Sequence, residues 1–153
     1  MNPNLFTNAE IPSYSGGEKK SVTEVVQIEN ERHYLIRVGA KDLNACFRLS
    51  SHGNGRIRIY RAPTVREDGD GTVLDSRNYS TKHSDAALSV FTAGADIRND
   101  GTLRYSNLRA GATIDSDGWF GFEANSVWMV KIDNDSGTGA FFGLVIDFFE
   151  LGI

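Results

Sequence analysis

Turn-forming clusters of Gly, Asn, Asp and Ser interrupt the chain from Ser21 to its end, and the stretches between them are short and alternate in polarity. Sixteen glycines against three prolines supply the tight-turn conformations that many short antiparallel strands require. The spacing predicts strands near 22–29, 33–39, 44–50, 56–62, 72–79, 86–92, 102–106, 111–115, 119–123, 127–133 and 140–150. A length of 153 residues with 40% hydrophobic content suffices for one domain with a real core. The expected fold is all-β: an antiparallel, jelly-roll-like β-sandwich over residues 21–153, preceded by an extended N-terminal arm over residues 1–20.

In the arm, Pro3, Pro12 and the Gly16-Gly17 pair break any helix or long strand. Leu5, Phe6, Ile11 and Tyr14 are too apolar for a purely solvating tail. They anchor the arm either on a partner surface or back on its own domain.

Within the domain, Ser51-His52-Gly53-Asn54-Gly55 separates two alternating runs, 44–50 and 56–62, and this pattern predicts a hairpin. In the second run Ile57 and Ile59 fall on one face and Arg56, Arg58 and Tyr60 on the other. Together with Arg61 the arginines are expected to form an outward ridge that meets a partner. Reversing Arg56 and Arg58 to Glu should then leave stability within about 1 kcal/mol. The run 140–150 differs, because Phe142, Leu144, Ile146 and Phe148 alternate with Phe141, Val145 and Phe149, so both faces look apolar. Val145 and Phe149 are therefore either at an oligomer interface or inside one sandwich.

A weak internal echo joins Val65 to Thr72 and Ile97 to Thr102, since both segments run through Asp-Gly-Thr into a strand. Two comparable loops on related sheet edges are expected from it.

The net charge of −4 does not suit nucleic-acid binding, which needs a basic face. No stretch approaches the ~20 apolar residues of a membrane span, and no basic and apolar leader opens the chain, so a soluble protein without an export signal is expected. Charge is unevenly spread: residues 31–66 hold eight Lys or Arg against two acids, and residues 111–153 hold seven acids against Lys131. That asymmetry is read either as complementary docking patches or as solvated side chains.

Chemistry-bearing patterns are weak. Most carboxylates sit in turns beside Gly or Asn, where turn formation explains them. The runs 67–71, 115–118 and 133–137 offer oxygens to Ca²⁺ without the full calcium-loop pattern. His33, His52 and His83 are isolated, and Cys46 reads as a small buried hydrophobe. There is no nucleophile elbow and no phosphate loop. Neither catalysis nor a cofactor is expected. Trp119, Phe120, Phe122 and Trp128 read as core, with sugar stacking as the other possibility.

One resemblance spans residues 56–150. It rests on Tyr60-Arg-Ala-Pro-Thr-Val65, Asp70-Gly-Thr72, Ser76-Arg-Asn78, Gly101-Thr-Leu103, Val127-Trp-Met-Val-Lys-Ile132, the turn from Asp133 to Gly137, and Gly143 to Glu150. This texture resembles the β-sandwich proteins that decorate tailed-phage heads. The resemblance implies a virion structural protein on the capsid exterior, made in the host cytoplasm. Such a protein would bind the major capsid protein and itself, as a homo-oligomer expected to be a trimer. It transfers no individual functional residue. Spike and fibre modules share the texture, so a glycan- or receptor-binding module using Trp119, Tyr105 and loop acids stays open as the alternative.

Overall fold

The computed structural model describes residues 19–51, 53–66, 71–79, 86–109, 113–115 and 119–151. Among these the chain is all-β: β1 (Lys20–Ile28), β2 (Glu31–Arg37), β3 (Asp42–Ser51), β4 (Gly55–Arg61), β5 (Thr64–Val65), β6 (Thr72–Leu74), β7 (Arg77–Asn78), β8 (Val90–Ala93), β9 (Ile97–Asn99), β10 (Thr102–Arg109), β11 (Thr113–Asp115), β12 (Phe120–Phe122), β13 (Val127–Asn134) and β14 (Ala140–Leu151). A front sheet runs β11-β3-β14-β1-β7, with β12 also on β3, and a back sheet runs β10-β4-β13-β2-β8-β6. The strand pairs of both sheets are antiparallel. The sandwich expected from turn spacing is the observed architecture.

The core lies between the sheets because strand alternation puts one apolar row of each strand inward. Leu43, Ala45, Phe47 and Leu49 of β3 and Phe142, Leu144, Ile146 and Phe148 of β14 face Ile57 and Ile59 of β4 and Trp128, Val130 and Ile132 of β13. Rings interlock across the gap, Phe91 with Phe148 at 4.7 Å and Phe122 edge-on to Trp128 at 4.8 Å. Each such fully buried side chain contributes roughly 1.5–3 kcal/mol of transfer free energy.

The hairpin expected across residues 51–55 does not form. β3 pairs with β14, β11 and β12, whereas β4 pairs with β13 and β10, so the turn arches from one sheet to the other. A hairpin would set the apolar rows of β3 and β4 side by side; the arch sets them face to face, which buries both. Gly55 permits the crossing, since a Cβ there would come within 2.6 Å of the Phe142 ring. The run 72–79 also divides, β6 joining the back sheet and β7 the front.

The internal echo acquires a structural meaning. β5 pairs with β9, bringing Val65 opposite Ile97, and Gly71 and the Asp100-Gly101 turn then lead into β6 and β10, the two edge strands of the back sheet. Gly71 (φ +76) and Gly101 (φ +88) occupy the left-handed region, and a Cβ would press on the carbonyl oxygens of Ala93 and Arg61 respectively. Both turns therefore need glycine.

Candidate interaction surfaces

On the outer face of the back sheet, antiparallel registry places Arg56 beside Asp133 and Arg58 beside Lys131. Asp133 is only 7% exposed and receives two hydrogen bonds from Arg58, Nε to Oδ2 at 2.8 Å and Nη2 to Oδ1 at 3.0 Å, while Arg56 Nε lies 3.2 Å from it. Lys131 Nζ donates to Asp100 at 3.1 Å and lies 3.6 Å from Glu31. Leu35 and Met129 lie in register on this same outer face and are nevertheless fully buried, and Asp100, which follows β9, reaches Lys131.

The outward ridge of arginines is therefore corrected. Arg56 and Arg58 do point outward, opposite Ile57 and Ile59, but they are spent on a buried carboxylate of the neighbouring strand. Arg61 is not part of their row. With a period of two it falls on the isoleucine side at the end of the sandwich, where it pairs with Glu123 and stacks 5.2 Å over the Trp128 ring. The basic stretch 31–66 and the acidic stretch 111–153 thus meet inside one molecule, because β4 and β13 are neighbours.

Beside Arg61 an open cleft of about 400 Å³ is lined by Ala62, Pro63, Glu123, Asn125 and Ser126. Ala62 (φ 55) and Asn125 (φ 61) both sit in the left-handed region. Asn tolerates it readily, and Ala does so at a steric cost of roughly 1–2 kcal/mol.

The outer face of the front sheet is different. Near one end Phe149 is 0% exposed because Trp119 of the same chain packs on it at 5.2 Å. Tyr79 donates its hydroxyl to the buried Asp147 at 2.5 Å, and both burial and that carboxylate push the phenol's pKa up. Glu150, on the inward side of β14 with Phe148, is buried at the end of the sandwich and accepts from the amides of Leu88 at 2.9 Å and Ser89 at 2.7 Å, which lead into β8 of the back sheet. Cys46 faces outward in this region and is half-buried rather than part of the core.

Towards the other end the face opens. Val25 is 77% and Phe141 60% exposed, with Thr23, Gln27 and Ser50 exposed around them and Val145 half-buried. Of the two residues assigned to an oligomer interface from sequence, Phe149 is covered by its own chain, so its burial needs no partner. The sequence reading missed Val25, whose run of β-branched residues looks like any half-buried strand. Leu5, Phe6, Ile11 and Tyr14 lie outside the described residues, as do 67–70 and 116–118 of the acidic runs.

The aromatic residues weighed for sugar stacking are mostly engaged. Phe122 and Trp128 are core, and Tyr105 packs against Phe120 at 4.6 Å. Among the described residues no three His, Cys, Asp or Glu side chains gather as a metal site. Nor, among them, is any helix long and apolar enough to cross a membrane.

No known protein family and no curated protein matches the sequence. Solved structures with similarity include a mitogen from Yersinia pseudotuberculosis (12% identity, TM-score 0.35, 86% of each chain covered). A periplasmic inhibitor of g-type lysozyme from Aeromonas hydrophila matches at 10% identity and TM-score 0.39, over 87% of this chain and 88% of that one. A chain of broad bean stain virus matches at 6% identity and TM-score 0.34, over 89% and 84%. At these values none of the likenesses assigns a family or a function.

Proposed function

We propose that the protein is a virion structural protein that decorates a capsid, binding the major capsid lattice and stabilising it through oligomeric contacts. The observation that carries this reading is the open half of the front face, where Phe141 and Val25 stand exposed, with the exposed Arg48 in register with Val145 as the charge on this part of the face. Exposed large apolar side chains on such a face suit protein packing. The resemblance over residues 56–150 supplies the kind of partner. Co-sedimentation with intact heads tests it: binding at a fixed ratio to the major capsid protein is expected, and Phe141→Lys should abolish it. Failure to bind heads, or equal binding by the variant, overturns the reading.

The cleft at Arg61 favours a second reading, a glycan- or receptor-binding module of a spike or fibre. Its Arg61 and Glu123 pair and Asn125 offer polar groups beside the apolar face of Pro63. A glycan array separates the two, since decoration requires no binding there.

A further inference from the structure

Among the described residues the edge of β1 is open over most of its length. β7 pairs only with Lys20 and Ser21, so among the described residues Val22 to Ile28 have no strand on the side away from β14. The backbone direction follows from one hydrogen bond. The Tyr79 amide donates to the Lys19 carbonyl at 2.9 Å on the β7 side, and with a period of two the N–H and C=O groups of Thr23, Val25 and Gln27 face that same side.

Open edges are usually blunted by brevity, bulges or charge. β6, β7, β11 and β12 are three residues or fewer, and β10 has a register shift between Leu103 and Tyr105. β1 has no such device: no Lys or Pro lies between Val22 and Ile28. Its one charge, Glu24, points inward and is held by Arg32 at 2.7 and 2.9 Å and by the Tyr34 hydroxyl at 2.6 Å. An incoming strand therefore meets no unbalanced charge.

We infer that this edge pairs antiparallel with the same edge of a second copy, about a two-fold axis at Val25. The free segment 22–28 is centred on Val25, so that register uses all of it, and β7 limits it at one end. Val25 would exchange two backbone hydrogen bonds with Val25 of the second copy, at a Cα separation of about 5.5 Å, and Thr23 and Gln27 would pair likewise with Gln27 and Thr23. The two exposed valines would meet on the outer face, and Phe141, in register with Gln27, would flank them from each molecule. The result is one continuous front sheet with a doubled apolar face. The contact rests on the self-association in the reading above and not on head binding.

Native mass spectrometry and concentration-dependent hydrogen exchange of the full chain test the inference. A dimer at micromolar concentration is expected, with the amides of residues 23, 25 and 27 protected together and losing protection on dilution. Val25→Lys sets like charges together at the axis and should give a monomer that still melts cooperatively, with a melting temperature that no longer depends on protein concentration. Val25→Pro removes an N–H that β14 does not use and should do the same if the first variant fails to fold. A monomer or a trimer of the wild type, protection of the three amides in the dilute monomer, or a dimer surviving both substitutions overturns it. Phe141→Lys should keep the dimer while losing head binding, so that failure of one reading is separable from failure of the other.

Discussion

The two outer faces of the sandwich handle their polar groups in opposite ways. The back face buries a row of charges, with Arg56 and Arg58 converging on Asp133 and Lys131 held by Asp100. The front face holds the buried Asp147 at one end, where it takes the Tyr79 hydroxyl, and leaves the other end open, with Val25 and Phe141 exposed. Charge used to close a molecule on itself is not available to a partner. An exposed Val25 and Phe141 are available, because nothing in the chain described here competes for them.

The largest expected effect tests the closure of the back face. Reversing both Arg56 and Arg58 to Glu leaves the buried Asp133 without a partner and adds like charges beside it. A loss of about 3–5 kcal/mol in urea unfolding is expected. A change below about 1 kcal/mol would return these arginines to the role of a solvated ridge.

Next comes Glu150→Ala, which strands the Leu88 and Ser89 amides beneath β14. A loss of about 1–3 kcal/mol is expected, with faster hydrogen exchange at both amides. Unchanged exchange would mean that the strand end does not hold this segment.

A smaller effect appears on acidification. Burial acts to raise the Glu24 carboxyl's pKa, but the hydrogen bonds from Arg32 and Tyr34 outweigh it and leave the group below its ordinary value of 4.5. The stability it contributes is complete above pH 4.5 and is lost as pH falls through the lowered folded value. Glu24→Gln should flatten the pH dependence of melting in that acid window and nowhere above it. The smallest effect belongs to the open front face, where Phe141→Lys should change stability by no more than about 0.5 kcal/mol. A larger loss would make Phe141 part of the fold and not of a surface.

Much of this was legible in the sequence. Turn chemistry and period-two alternation gave the class of fold, and the Ile57, Ile59 and Phe142 to Phe148 rows gave the core. The Asp-Gly-Thr echo correctly pointed to two related edges. The hairpin at residues 51–55 was not legible, since a hairpin and an inter-sheet arch share the same turn residues and the same alternation.

What the chain determined alone was local: where strands begin and end, which side chains of each strand lie together, and which glycines must turn. Strand pairing was decided by tertiary structure, because backbone hydrogen bonds carry no record of which strand will supply them. The consequences are specific. Asp133 became a partner of Arg58 at a separation of 75 residues, and the opposite charges of the two halves cancelled within the molecule. Trp119 covered Phe149 from within the chain. Among the described residues Val25 was left at an open edge, because β7 stops at the second residue of β1. Each of these depends on neighbours brought together by burying both apolar faces of a sandwich at once, a condition that no single strand encodes.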